Sequence, residues 1–270
     1  VMTFFPSLQL ALSFVRAMRH DSDQKFLDPI PMMPAALELF DERSLELLRV
    51  RQEHGLLAES IPALPHPAHT AVYVEFHADE EALMEKAMEE LSSRLETCGG
   101  NDQATWLASD EREMEKLHRF RHLVPETVNA LIDERRRKTP GLAKLGTDMA
   151  VPDRYLEQIV EMYRRDLLAA GLEYVMFGHV GNNHLHVNIL PHTLEEYEAG
   201  KRLYLQWADE VIRLGGSVSA EHGIGKLKTA LLRAMYGDDG IDQMKALKKI
   251  FDPAGMLNRG NLFDAAPGFI

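Results

Sequence analysis

Gly178-His179-Val180-Gly181-Asn182-Asn183-His184-Leu185-His186-Val187-Asn188 is the stretch on which the reading of this chain turns. It packs three His and three Asn around two glycines, with apolar segments on either side. Such a run is too polar for a core strand and too apolar at its edges for a free loop. It reads as strand, tight turn, strand. In its second half His184, His186 and Asn188 alternate with Leu185, Val187 and Ile189, so a period of two puts the polar set on one face and the apolar set on the other. His179 precedes the turn and reaches the same face if Gly181 permits a tight reversal.

A second polar stretch lies downstream, Gly215-Gly216-Ser217-Val218-Ser219-Ala220-Glu221-His222-Gly223-Ile224-Gly225-Lys226. Glu221-His222, followed by a glycine, offers a carboxylate and an imidazole on backbone that can approach another element closely. Two His and one Glu form a ligand set for a divalent ion, with open positions left for a substrate. His179, His186 and Glu221 are therefore the candidate metal ligands, with zinc, manganese or iron as ions suited to imidazole and carboxylate. His184 lies on the same strand face as His186. The bland alternative is a pair of hairpin histidines with ordinary hydrogen bonds.

Outward from this centre, short strands alternate with helices. Val1–Phe5 reads as a strand, Ser7 caps a helix to Arg19, and a Pro-rich connection over Asp28–Pro34 leads to a strand at Ala35–Phe40. Asp41 caps the next helix, and Pro62, Pro65 and Pro67 mark a rigid loop before the alternating strand Thr70–Phe76. A helix over 79–96 ends at Gly99-Gly100, and a short strand is expected near Thr105–Ala108. The long helical region from Asp110 to Lys138 contains Pro125, which should kink or split it. Leu145–Val151 reads as a strand, and Pro152 opens a helix to Ala170. Leu194–Leu214 is a helix, and Ile224–Met235 and Asp239–Phe251 are two shorter ones. The order suggests α+β architecture, an antiparallel sheet with helices mainly on one face, plus a C-terminal helical segment.

The 270 residues carry a net charge of −12, which leaves no electrostatic footprint for nucleic acid. The basic run Arg135–Lys138 reads as a solvated helix end. No apolar run approaches the ~20 residues of a membrane span. A single cysteine, Cys98, excludes an internal disulfide framework and fits a reducing compartment, hence a cytoplasmic protein, peripheral association with a membrane being compatible. The start, Val1-Met2-Thr3-Phe4-Phe5, reads as a strand entered midway through a longer chain.

Three ordered motifs resemble the C-terminal half of flavin-dependent 2-hydroxy-acid dehydrogenases of the vanillyl-alcohol-oxidase type. This family includes D-lactate dehydrogenase, the glycolate oxidase flavoprotein subunit and D-2-hydroxyglutarate dehydrogenase. The pattern G-H-x-G-D-G-N-x-H corresponds to Gly178–His186, G-x-x-x-x-E-H-G-x-G-x-x-K to Gly216–Lys228, and D-P-x-x-x-L-N-P-G-K to Asp252–Asn261. Asn182, Asn183 and His184 replace the usual Asp, Gly and Asn, and Arg259 and Asn261 stand where Pro and Lys are usual.

The resemblance implies a ferredoxin-like substrate (cap) domain over residues 1–215 and a helical segment over 216–270 that packs on a flavin domain. That N-terminal FAD-binding domain of the same protein is absent from this chain, where no phosphate-cradling glycine loop occurs. It further implies FAD as cofactor, a small 2-hydroxy acid as substrate, hydride transfer to flavin, and a divalent metal that orients the acid. His222 is then the base. Arg121 resembles the arginine that clamps the substrate carboxylate, with Arg119 as its competitor, and Asn188 is a further substrate contact. Asn258 resembles a contact with the flavin side.

The hydroxyglutarate branch carries a Thr four residues after its arginine and a Lys further on. Pro125 occupies the first position, and Lys144 reaches the second only across a gap, which places lactate- or glycolate-like acids ahead. Two other readings fit the same residues. One is a flavin-independent metalloenzyme built on two His and one carboxylate. The other is a non-catalytic interaction module, for which a homodimer through an exposed apolar face would be the sign.

Overall fold

The computed structural model describes residues 1–19, 31–57, 61–65 and 68–263. Asp28–Ile30 and Pro67, within the expected Pro-rich connections, lie outside that set. Six strands make one sheet: β1 (Met2–Phe5), β2 (Ala36–Phe40), β3 (Thr70–Glu75), β4 (Leu145–Gly146), β5 (Tyr174–Gly178) and β6 (His186–Ile189). Their order is β1-β3-β2-β5-β6-β4, and every pairing is antiparallel.

Strand alternation sorts side chains between two cores. Leu37, Leu39, Val72, Val74, Met176, Val187 and Ile189 point to one face. There they meet α1 (Leu8–Met18), α3 (Glu81–Thr97), α5 (Leu156–Ala170) and α6 (Leu194–Arg213). Phe40, Ala71, Tyr73, Val175 and Phe177 point to the other face, under α2 (Glu42–Glu53) and α4 (Glu111–Lys138). Most helices therefore lie on one side. α7 (Thr229–Phe251) leaves helical geometry at Gly237 (φ 68°), so the two short helices expected there abut without a loop. No described helix is long and apolar enough to cross a membrane.

Local chemistry explains the helix starts. Ser7 accepts a hydrogen bond from the Leu10 amide, and Asp41 from the Ser44 amide at 2.8 Å, as N-caps do. Three expectations need correction. Pro125 does not split α4, which continues through it. Proline removes one backbone donor, but Leu117, Phe120, Val124, Val128 and Ile132 keep both halves of the helix in one core. The strand expected near Thr105–Ala108 is only a bridge between Trp106 and Met2. The strand expected over Leu145–Val151 pairs with β6 only at its first two residues. It then turns away to bridge His184 and Ser217 through Ala150.

Candidate active site

The polar face of β6 opens beside α4, which contributes Arg121, His122 and Pro125. A cleft of about 480 Å³ lies there, lined among others by Glu38, Arg121, Lys144, His186, Asn188 and His222. His186 pairs with Phe177, and Asn188 with Val175, so both polar side chains share the sheet face that carries Glu38 on β2. The period-two reading of this strand holds.

The turn before β6 departs from the expected reversal at Gly181. A single 3-10 turn over Val180–Asn182 ends at Asn183, which takes the left-handed conformation (φ 55°). Asn tolerates that region better than most residues. Gly178 is the glycine this hairpin requires: a Cβ there would lie 2.8 Å from the His186 ring, and its φ is 126°.

Three strand and turn histidines converge on the loop carboxylate Glu221. His179 Nε2 lies 3.2 Å from Glu221 Oε2, and His186 Nε2 3.1 Å from Oε1. His184 joins them, and ligand atoms of His179, His184, His186 and Glu221 all lie within 4.8 Å of one another. His179 Nδ1 contacts Glu38 Oε1 at 2.8 Å, so the other ring nitrogen is left facing Glu221. The hydrogen bond with buried Glu38 raises the His179 pKa despite partial burial. Burial lowers that of His186, whose Nδ1 contacts the Thr147 carbonyl at 3.0 Å. A carboxylate or carbonyl behind an imidazole is the support that metal-ligating histidines ordinarily have.

Asp148, 1% exposed, holds the Glu221–His222 loop in place. Its carboxylate accepts from the Glu221 amide at 3.1 Å, the His222 amide at 3.2 Å, Ser219 Oγ at 2.7 Å and Lys228 Nζ at 2.5 Å. Burial alone would raise its pKa, but contacts with His184, Lys228 and Ser219 and the loop amides hold the carboxyl well below the usual range.

His222 projects at the mouth of the cleft, 63% of its side chain exposed. Its ring stacks on His186 at 5.4 Å, and Nε2 lies 3.1 Å from Glu221 Oε1. Arg121 enters from α4 and donates to Glu38 Oε1 at 2.5 Å, with Glu75 at 3.7 Å and the Tyr73 ring beneath its guanidinium. Arg119, its rival in sequence, instead pairs with Glu126 at 3.2 Å. Asn188 lines the cleft beside Gly146, where a Cβ would come within 2.9 Å of its Oδ1. Asn258 stands apart, in a separate groove beside Phe251 and Leu262. The structure thus brings His179, His186, Asn188, Arg121, Glu221 and His222 to one cleft and leaves Asn258 outside it.

Sequence reading missed Glu38 and Asp148. The available signal was an acid set inside an otherwise apolar strand, in Ala36-Leu37-Glu38-Leu39-Phe40 and in Gly146-Thr147-Asp148-Met149-Ala150-Val151. A buried acid needs a partner, and here the partners lie far along the chain.

The donor chemistry fits a divalent ion. Imidazole and carboxylate atoms converge, and the buried His184 Nε2 has no hydrogen-bond partner among the described residues.

Among solved structures, p-cresol methylhydroxylase aligns with a TM-score of 0.62 and 12% identity, over 100% of this chain and 53% of that one. The 4-ethylphenol oxidase of Gulosibacter chungangensis aligns with a TM-score of 0.60 and 15% identity, over 98% of this chain and 53% of that one. Both show likeness of fold alone. A protein named probable D-lactate dehydrogenase, mitochondrial, from Danio rerio is 30% identical over 74% of this chain and 39% of its own length. Glycolate oxidase subunit GlcD of Bacillus subtilis is 27% identical over 86% of this chain and 46% of its own. D-2-hydroxyglutarate dehydrogenase of Stutzerimonas stutzeri is 28% identical over 85% and 47%. The chain thus spans less than half the length of these relatives. The family model described as FAD linked oxidases, C-terminal domain, matches residues 1–262, and the chain belongs to that family.

Proposed function

We propose that this chain is the substrate-binding half of an FAD-dependent D-2-hydroxy-acid dehydrogenase acting on a D-lactate- or glycolate-like acid. The observation that carries the reading is the meeting of an imidazole–carboxylate cluster, a guanidinium and an exposed imidazole in one cleft. Arg121 binds the acid's carboxylate, for which a planar guanidinium is suited. Asn188 contacts the bound acid from the strand face. His222 takes the hydroxyl proton, its Nε2 steadied by Glu221. His179, His186 and Glu221 would hold the metal, with Glu38 orienting His179. When bound, FAD would accept the hydride from the α-carbon and a divalent ion would supply fixed positive charge for the acid's oxygens.

The C-terminal segment, with Asn258, would meet the FAD-binding domain of the same protein. In support, Ile250, Phe251, Met256 and Leu257 are all more than 60% exposed there. Without that domain the chain would bind metal and acid but not turn over.

One observation favours a second reading within the same chemistry. Lys144 lines the cleft together with Arg121, and a second cation suits a dicarboxylic 2-hydroxy acid.

The test is oxidation of D-lactate, glycolate and D-2-hydroxyglutarate by the full-length flavoprotein with a dye acceptor. His222→Asn should lower kcat roughly 100- to 10,000-fold. Arg121→Met should chiefly raise KM. Oxidation of none of the three acids, or variants that match the unmodified enzyme, would sink the proposal. Oxidation by the 270-residue chain without flavin would support the flavin-independent metalloenzyme instead.

A further inference from the structure

We infer that His184 is a fourth protein ligand, so that the metal site offers three imidazoles and one carboxylate. The inference rests on the metal reading above. His184 is 3% exposed, and its Nε2 is a buried donor or acceptor without a hydrogen-bond partner among the described residues. Asp148 Oδ1 lies 3.2 Å from that nitrogen, close enough for charge attraction but off the line of a hydrogen bond. Leaving a buried imidazole nitrogen unmatched costs free energy, which a bound cation removes.

The ring also sits where a ligand should. Its centroid is 4.4 Å from that of His186 and 5.6 Å from that of His179. A ligand atom of His184 lies within 4.8 Å of those of His179, His186 and Glu221.

Backbone on both sides holds it there. Asn183 is left-handed at φ 55°, the His184 amide donates to the His179 carbonyl at 3.1 Å, and His184 bridges Ala150. The related motif carries Asn at this position, so the extra imidazole is a feature of this chain's sequence.

Four protein ligands change what the site can take. Zinc commonly accepts four and expands to five, so an incoming acid could offer it one oxygen. Manganese and iron accept six, which leaves room for both a hydroxyl and a carboxylate oxygen. His184 would thereby select the ion and set how the acid is held.

The experiment uses the purified full-length protein with His184→Asn, His184→Gln and, as control, His179→Ala. Metal per chain after dialysis, Zn2+ and Mn2+ affinity against a competing chelator, and the visible spectrum of the Co2+ form are measured. Both His184 variants should weaken affinity at least roughly 10- to 100-fold, the loss seen for outer partners alone, and should shift the Co2+ bands. Melting curves of the metal-free forms should coincide, separating ligand loss from misfolding. Unchanged affinity and spectrum in the His184 variants, with metal lost from His179→Ala, would overturn the inference and leave a three-ligand site. Weaker affinity with an unshifted spectrum would also overturn it, making His184 a positioning residue acting through Asp148. Metal retained by His179→Ala would remove the metal reading itself.

Discussion

The two faces of β6 differ in everything except their spacing. Val187 and Ile189 are sealed in the larger core among Trp207, Tyr204 and Met176. One residue out of phase, His186 and Asn188 face the cleft. The strand itself does not make this difference; the helices above it do. α5 and α6 lie across one face, whereas on the other α4 borders an open cleft. The dry face supplies stability, and the incompletely covered face supplies a place where polar groups can be spent on a ligand. Substitutions on the two faces should therefore separate folding from binding.

The largest effect belongs to the dry face. Trp207 is fully buried, stacks edge-on against Tyr163 at 4.7 Å and donates to Asp166 Oδ2 at 3.0 Å. Trp207→Ala should cost about 3–5 kcal/mol in a denaturant titration, while any surviving folded protein keeps its metal affinity. A loss of affinity matching the loss of stability would break the separation.

Asp148 tests the boundary, because it is as buried as a core residue yet holds the site loop. Asp148→Ala leaves the Lys228 ammonium buried without its carboxylate and should cost about 3 kcal/mol. Unlike Trp207→Ala, it should also weaken metal affinity, since the Glu221 and His222 amides lose their acceptor.

Glu38→Gln sharpens the contrast from the cleft side. It should lower metal affinity roughly 10- to 100-fold with little change in melting temperature. A drop in stability without a change in affinity would make Glu38 a structural residue.

The smallest effect lies outside both faces. Asp252 has its pKa lowered from 3.8 to about 2 by the Lys248 ammonium and the Leu257 and Met256 amides. Its folded pKa is depressed, so its contribution is present above pH 3.8 and is lost as pH falls towards about 2. Amide exchange at Met256 and Leu257 should accelerate across that window, with the sheet amides unaffected.

Much of this arrangement was legible from local pattern. Alternation put His186 and Asn188 opposite Val187 and Ile189, and Ser7 and Asp41 announced their helices through capping chemistry. The candidate ligand set of His179, His186 and Glu221 could be named because two short motifs each carried part of it. What escaped was whatever depends on distant partners. Glu38 meets His179 across 141 residues and Lys228 meets Asp148 across 80, and neither acid has a local sign of its role beyond being out of place in an apolar run. Pro125 misled for a related reason: its local cost is real, and the packing that offsets it comes from the sheet. The strand at Leu145 was shortened because its backbone was recruited to hold the Ser217 segment.

Glu38 has one further consequence. Its Oε1 receives both the Arg121 guanidinium and the His179 ring, so the group that greets an anion and the group that would face a cation share one counter-charge. Drawing Arg121 towards an incoming carboxylate frees Glu38 to polarise His179 more strongly, and withdrawing electron density from His179 draws Glu38 to that ring and frees Arg121 for the acid. Linkage makes such an exchange equal in both directions: whatever factor one ligand gains from the other is given back unchanged. The two halves of the cleft are thus joined by a single oxygen atom, and acid and ion should bind as a cooperative pair.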